Sequence, residues 1–282
     1  MRVLFLSILP VLPILWSSAA FPAPSVERGE YLVTGPAACG NCHTPFDEEG
    51  PDLSRPLGGG LVIDIPPFTA YAPNITPAGR IADWTDDELA RAIREGLRPD
   101  DSVIGPPMPI AQYRGLSDDD LMSIVAYLRT VPAVEGEPPQ SVYNIPLPPA
   151  YGPPVETVAH SEEGVSVAYG AYLAGPVAHC MECHSPQGPE GSLFETQAGA
   201  GGFEFPGPWG VSVAPNLTPH PEDGIADYTD LELKTMITQG IRPDGERMMP
   251  PMPYSYFANM TDQDLDAVIV YLRSLAPLPL PR

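Results

Sequence analysis

The chain has little positive charge. Only 14 of its 282 residues are Lys or Arg, Lys234 is its one lysine, and 36 Asp and Glu residues give it a formal net charge of −22. Negative charge repels the phosphate backbone of nucleic acids. We therefore expect no nucleic-acid binding. Protein partners with basic patches, or small neutral substrates, are compatible with this negative charge. The charge also favours solubility.

Long apolar segments are absent beyond the N-terminus. A membrane-spanning helix needs about 20 mainly apolar residues, and no later segment is that long. Residues 1–20 combine one arginine, an apolar run from Val3 to Trp16 and small residues before a cleavage point near Ala20. This pattern predicts a cleaved export signal, with a retained anchor helix as the alternative. We expect membrane association only through a retained N-terminus or a partner subunit.

Cysteine and histidine are scarce, with 4 and 5 residues, and all four cysteines lie in two five-residue motifs, CGNCH and CMECH. A zinc site needs four ligands, and each motif offers three. A disulfide would leave the adjacent histidine without a role. Covalent attachment of haem c uses both thiols and the imidazole. The motifs therefore predict two haem c groups, held by Cys39, Cys42, His43, Cys180, Cys183 and His184.

The sequence around these motifs is repeated. Arg28–Pro45 matches Tyr169–Pro186, and second copies of APNITP, IADWTDDEL, GLRPDD, PPMP, LSDDDL and AYLR follow in the same order. A stretch with eight prolines, from Val131 to Pro154, separates the copies. Proline favours extended backbone, which suits a semi-rigid spacer or a strap along the surface. The repeat predicts domains over residues 21–132 and 161–282, joined by a Pro-rich linker over 133–160.

Each copy contains three helical signals. The first helix precedes the cysteine motif, and the other two begin at a Ser or Thr followed three residues later by an acid, the pattern of a capping box. No alternating strand pattern of convincing length is present, so we expect a mostly α fold. The predicted first helices span Val26–Ala37 and Val165–Ala178, and the later ones begin at Thr85, Ser117, Thr229 and Thr261.

The iron of each predicted haem needs a second axial ligand besides the histidine. In the first copy, His43 is the only histidine before residue 160 and both cysteines are already used, which leaves methionine as the strongest soft donor. Met122 lies among core positions of the third helix, whereas Met108 lies in the loop GPPMPI, where prolines hold the backbone extended. We predict Met108 as the ligand.

The second copy offers several methionines. The repeat register selects Met252, which has the place of Met108 within PPMP. Met248 and Met249, just before it, remain alternatives. Gap filling in a Pro-rich loop is the competing explanation for a methionine here.

Two other residue types near the motifs receive weaker predictions. His179 directly precedes Cys180 and is expected to be a surface residue of that turn. Arg98 and Arg242, in the repeated RPD, suit a pairing with haem propionates, a helix-end cap, or an ion pair with the next Asp.

The ordered set of CxxCH, APNITP, TDDEL, PPMP and a final YLR helix, present twice, resembles class I c-type cytochromes. It closely resembles the cytochrome subunits that accompany bacterial alcohol and aldehyde dehydrogenases in the periplasm. The resemblance covers nearly the whole mature chain. It implies a small helical fold around one haem c in each half, with His43 and Met108, and His184 and Met252, as axial ligands. Many such subunits carry three haem domains, whereas this sequence has two haem motifs.

The resulting hypothesis is a periplasmic dihaem cytochrome that relays electrons from a dehydrogenase to an oxidase or another cytochrome. His/Met ligation raises the reduction potential and fills the coordination sphere of the iron, so we assign no catalytic residue. The alternative is a dihaem enzyme, a peroxidase or a sulfur-compound dehydrogenase, which needs an iron that opens or a Cys or His ligand. An electron-transfer subunit is favoured over an enzyme in its own right.

Overall fold

The computed structural model describes residues 23–47, 50–189, 191–207 and 209–281. The predicted export signal, residues 1–20, lies outside them. Among the helices of these described ranges, none has both the length and the apolar character needed to cross a membrane.

The helices of the first copy follow the predicted order. Three longer helices are α1 (Val26–Thr34), α3 (Asp86–Glu95) and α5 (Asp118–Leu128). Two single-turn helices lie between them, α2 (Gly40–His43) and α4 (Ile110–Tyr113). The cysteine motif is therefore on α2, and the PPMP loop leads directly into α4.

The second copy has the same helices with one addition, a π-helical segment before the cysteine motif. Its elements are α6 (Val167–Tyr172), the π-helix Leu173–Val177, α7 (Cys180–Cys183), α8 (Asp230–Gln239), α9 (Tyr254–Phe257) and α10 (Asp262–Ser274).

The predicted first helix is too long in both copies. In the first, α1 ends at Thr34 rather than at Ala37, because Gly35 has left the helical region and precedes Pro36. A residue before proline is sterically pushed away from helical backbone. In the second copy, α6 begins at Val167 and the wider π-helical turn carries the chain past Pro176.

The expectation of a mostly α fold is confirmed only in part, since 31% of the described residues are helical and 13% are strand. The main sheet is antiparallel, with the order β3 (Gly60–Ile65), β4 (Phe68–Ala72) and β5 (Val142–Tyr143). Its pairing register shifts between Leu61 and Ile63. This irregularity breaks the strict alternation that identifies a strand in sequence.

The other strands form short antiparallel hairpins. They are β1 (Phe46–Asp47) with β2 (Gly50–Pro51), β6 (Gln187–Gly188) with β7 (Gly191–Ser192), and β8 (Glu204–Gly207) with β9 (Gly210–Val213).

Part of the predicted linker packs on the first domain. β5 pairs with β4, and the Asn74 side-chain amide donates hydrogen bonds to the carbonyl oxygens of Val134 (2.6 Å) and Gly136 (2.8 Å). The segment that follows α5 is therefore bound along this domain rather than being only a spacer.

Close helix crossings organise the core. A Cβ atom on Gly29 of α1 would lie 1.9 Å from the carbonyl oxygen of Ser123 on α5. The matched pair is Gly170 of α6 and the carbonyl of Ala267 on α10, also at 1.9 Å. Only glycine allows such an approach of two backbones. One continuous apolar cluster then runs through both halves of the chain.

Candidate haem sites

Each cysteine motif is wound into a single helical turn, α2 in the first copy and α7 in the second. All four cysteines lie in the described residues, and none is in a disulfide. Cys39 and Cys180 are half-buried, and burial raises the pKa of each thiol to about 12. Because they have no disulfide partner, both thiols are available to form thioether bonds with the vinyl groups of a porphyrin.

The two motif histidines are held in the same way. His43 Nδ1 lies 2.9 Å from the carbonyl oxygen of Pro73, and His184 Nδ1 lies 2.8 Å from that of Pro215. A carbonyl only accepts, so each Nδ1 carries the proton and each Nε2 keeps its lone pair. Burial also lowers the pKa of both rings, which favours the neutral form. This fixed tautomer is the form that binds a metal through Nε2.

The repeated APN-x-TP motif supplies these carbonyl groups. Asn74 Oδ1 accepts hydrogen bonds from the backbone N–H (2.9 Å) and the hydroxyl (2.8 Å) of Thr76. Asn216 makes the same two bonds to Thr218, both at 2.7 Å. All four side chains are buried. Each turn is thus stabilised by hydrogen bonds between its own residues. It places the carbonyl of the preceding proline next to the histidine.

A glycine on the other side of each histidine was missed by the sequence analysis. Gly59 N donates to the His43 carbonyl at 2.6 Å, and Gly201 N donates to that of His184 at 2.8 Å. Both have φ of +76°, and a Cβ on either would lie within 2.7 Å of backbone atoms. Side chains are excluded there. The repeat register, which aligns the two glycines, was the available signal.

The predicted axial methionines occupy equivalent places. Met108 and Met252 each follow a cis Pro–Pro peptide bond and are half-buried against the core. Each carbonyl accepts from the second residue beyond, Ile110 N (2.8 Å) and Tyr254 N (3.0 Å), where the short helices α4 and α9 begin. The two loops thus present their methionines in the same way.

The competing methionines of the second copy have other counterparts. Met248 N donates to the Gly240 carbonyl at 2.8 Å, as Ile104 N donates to Gly96 at 2.8 Å, so Met248 is the counterpart of an isoleucine. Met249 is exposed. These positions favour Met252, whose ligation to iron stays a prediction.

Arg98 is engaged by its own loop. Its Nη1 donates to the carbonyl of Val103 at 2.7 Å and to the Ser102 hydroxyl at 3.1 Å. The structure thus shows a loop-closing role for Arg98, and a contact with a haem propionate or with the end of α3 stays a prediction.

The prediction for His179 is wrong. Its ring meets Tyr113 of the first copy edge to face, with 5.8 Å between centroids, and burial lowers its pKa to about 4. This histidine is therefore part of the contact between the two repeats.

The role of the YLR motif was also missed. Arg129 Nη2 donates to the carbonyl of Trp84 at 2.5 Å, and Arg273 Nη2 donates to that of Tyr228 at 2.7 Å. Arg129 therefore connects the end of α5 to the loop before α3, and Arg273 connects α10 to the loop before α8. Sequence repetition marked these arginines, but backbone acceptors leave no trace in a sequence.

Among the residues that the structure describes, no group of three or more His, Cys, Asp or Glu side chains is arranged to hold a metal ion. Each motif instead offers two unpaired thiols and one imidazole with its Nε2 lone pair free. This donor set matches what haem c attachment requires.

Comparison with known proteins also indicates haem c attachment. The family model described as cytochrome c matches residues 26–132 and 167–276. The fructose dehydrogenase cytochrome subunit of Gluconobacter japonicus is 30% identical over 276 residues, covering 89% of this chain and 53% of that protein. The cytochrome c subunit of the quinone alcohol dehydrogenase of Gluconobacter oxydans (strain 621H) is 29% identical, covering 90% and 55%.

A shorter match is a diheme cytochrome c-type protein of Cereibacter sphaeroides, 41% identical over 116 residues, which covers 40% of this chain and 38% of that protein. The chain spans about half the length of the dehydrogenase subunits that it matches. The two family matches coincide with the two copies seen in the sequence and the structure. The chain therefore belongs to the cytochrome c family, as two tandem cytochrome c domains with two covalently bound haem c groups.

Proposed function

We propose that this protein is a periplasmic electron relay that takes electrons from a dehydrogenase and passes them to a respiratory acceptor. The observation that carries the proposal is the duplicated site, in which an imidazole with a fixed tautomer and a methionine loop recur in the same register. Each haem supplies one-electron redox chemistry, and the polypeptide attaches, ligates and shields it.

The residue roles form part of this proposal. The four cysteines would attach the two haems, His43 and Met108 would ligate the first iron, and His184 and Met252 would ligate the second. Two protein ligands on each iron would leave no open coordination position for a substrate. Met and His together also favour a raised reduction potential. These properties suit a carrier better than an enzyme.

A dehydrogenase is the proposed electron donor because the relatives named above are described as dehydrogenase cytochrome subunits. The acidic surface suits a partner with a basic face. Lys234 is already paired with acidic side chains rather than free to bind a partner, since its Nζ lies 2.8 Å from Asp266 and 3.3 Å from Asp262. We expect an oxidase or another cytochrome as the acceptor.

We also propose the organisation predicted from the sequence: an export signal over residues 1–20, a first domain over 21–132, a linker over 133–160 and a second domain over 161–282. The family matches at 26–132 and 167–276 fit inside these domain limits. Periplasmic localisation follows from the proposed export signal.

Stopped-flow reduction of the mature, haem-loaded protein by candidate sugar and alcohol dehydrogenases tests this function. We expect both haems to be reduced only when a dehydrogenase and its substrate are both present, and salt to slow the reaction with a basic partner. Peroxidase turnover by the unmutated protein, well above that of denatured haem protein, would contradict a pure carrier and favour the enzyme alternative.

A further inference from the structure

The last helix of the second domain is capped by a side chain of the first. The hydroxyl of Tyr31, on α1, donates a hydrogen bond to Asp264 Oδ2 at 2.5 Å. The same hydroxyl accepts one from the backbone N–H of Thr261 at 3.2 Å. Thr261 is the N-cap of α10, and Asp264 is the third residue of that helix. One tyrosine thus bridges both groups at the start of a helix in the other domain.

The reverse contact has the same form. The hydroxyl of Tyr172, on α6, donates to Asp120 Oδ2 at 2.6 Å and accepts from the backbone N–H of Ser117 at 3.2 Å. Ser117 is the N-cap of α5. The repeat register pairs Tyr31 with Tyr172, so the two contacts are related by the duplication itself.

These contacts replace part of a capping box. At the start of α3, Thr85 N donates to the carboxylate of Glu88 at 2.7 Å, so that helix completes its own cap. α5 and α10 carry the shorter Asp at the corresponding place. The Ser117 and Thr261 N–H groups donate to a tyrosine hydroxyl of the other domain instead. The cap needs both domains to be complete.

The bridged acids are shielded from water. Asp120 and Asp264 are each only 4% exposed. A buried carboxylate that loses a hydrogen-bond donor is strongly penalised, which opposes separation of the domains. Burial also raises the pKa of Tyr31 to about 12, so its hydroxyl keeps its proton at neutral pH. Burial of the two carboxylates and the protonated state of the Tyr31 hydroxyl therefore both favour the intact contact.

The same interface lies against the haem attachment motifs. A Cβ on Gly40 of α2 would lie 2.3 Å from the hydroxyl of Tyr256 on α9. Asn259 Nδ2, just after α9, donates to the Thr34 carbonyl at 2.8 Å, at the end of α1. α9 follows the Met252 loop, and α1 leads to CGNCH. Contacts between domains thus fall on the elements that carry the haem ligands.

We propose that Tyr31 and Tyr172 are interdomain positioning residues, which complete each other's helix caps and hold the two haem domains in one fixed arrangement. In this fixed arrangement, transfer of one electron between the two haems would need no docking of the domains beforehand. The electron-transfer part rests on the proposed function, whereas the fixed arrangement does not.

Hydrogen exchange tests the caps directly. In the reduced protein, followed by NMR, Tyr31→Phe should raise amide exchange at Thr261 about tenfold and leave Ser117 protected, and Tyr172→Phe should do the reverse. A hydrogen bond of ordinary strength, about 1.4 kcal/mol, corresponds to that factor. Thr85 serves as an internal control because its helix caps itself. Tyr71→Phe, on β4, controls for loss of a tyrosine hydroxyl elsewhere.

The double variant Tyr31→Phe/Tyr172→Phe tests the fixed arrangement. We expect exchange to rise at both Thr261 and Ser117, and interhaem electron transfer after flash reduction to slow at least tenfold, with unchanged haem spectra and potentials. Unchanged exchange at both amides would overturn the capping role. Faster exchange with an unchanged interhaem rate would overturn the positioning role. Should the double variant not fold, the two single variants give the same comparison.

The exchange measurement is independent of redox partners. If no dehydrogenase reduces the protein while Tyr31→Phe still deprotects Thr261, the proposed function fails and the interdomain cap stands. If a dehydrogenase reduces the protein and neither amide responds to the tyrosine substitutions, the proposed function stands and the cap is wrong.

Discussion

The two domains hold their motif histidines in the same way, but they differ in the structure around these histidines. Asp120 of the first domain has two partners besides its own helix, since Arg28 contacts both its oxygens (2.7 and 3.0 Å) and Tyr172 bonds to it as well. Asp264 has Tyr31, but the counterpart of Arg28 is Tyr169, which is 1% exposed. Duplication thus preserved the histidine geometry while the interface diverged.

A second difference lies in the sheets. The first domain has a third strand, β5, on its hairpin, whereas β8 and β9 form a two-stranded sheet among the described residues. The region around the haem motifs also differs, with a π-helix before CMECH only. Matched substitutions in the two domains can therefore separate what the haem site needs from what each domain added.

The largest expected effect comes from removing the proposed axial ligands. Met108→Ala and Met252→Ala should each convert one of the two low-spin haems to a high-spin or His/water form and lower its potential, because the soft thioether donor is lost. Visible and EPR spectra check this, and Met122→Ala and Met260→Ala are the controls. An unchanged spectrum for Met252→Ala would transfer the ligand role to Met248 or Met249.

Loss of the buried asparagine should come next. Asn74→Ala removes two bonds to Thr76 and two to the segment after α5, so we expect a loss of about 3 kcal/mol in the free energy of unfolding. Asn216→Ala should cost somewhat less, because among the described residues its amide donates to one carbonyl, that of Leu278. Urea unfolding, followed by NMR signals of each domain, gives the comparison. Equal losses would show that the second linker bond contributes nothing.

The charged side of the interface should have a smaller effect. Arg28→Ala removes a bidentate partner from the buried Asp120, and we expect a loss of about 2 kcal/mol in the unfolding free energy. Arg91→Ala breaks an exposed ion pair with Asp101 and should cost less than about 1 kcal/mol. Similar losses in the two variants would mean that Arg28 acts only as a surface charge.

The smallest effects are expected at the self-contained caps. Glu88→Ala and Glu232→Ala each remove the exposed carboxylate of a capping box, so we expect a small loss of stability of similar size in either domain. Thermal unfolding measures both, with Asp87→Ala as the control on the same helix. A clearly unequal pair would indicate that one helix contributes more than its twin to the stability of the whole chain.

The sequence predicted those features whose cause is local. Thr85 and Glu88 lie three residues apart and cap each other, as expected. Ser117 and Asp120 show the same spacing, but the carboxylate of Asp120 bonds to Tyr172, 52 residues away. Spacing reveals that a helix begins, but it does not reveal which distant side chain fills the remaining hydrogen bond.

The same distinction applies to the haem sites. The Cys and His residues were evident because one helical turn contains them, whereas the carbonyl that orients His43 belongs to Pro73, 30 residues away. Any residue can supply a carbonyl, so sequence identity says little about it. The hairpin of β3 and β4 was missed because its register shift hides the alternation.

The extended segment after each last helix has a further consequence for dividing the molecule. Asn74 bonds to Val134 and Gly136, and in the second domain Asn216 bonds to Leu278, all of them beyond the final helix. A first-domain fragment that stops at residue 132 would leave the Asn74 amide without these two acceptors. A fragment continued through Tyr143 would retain both acceptors together with β5. The repeating unit visible in the sequence is thus shorter than the unit that can close its own hydrogen bonds.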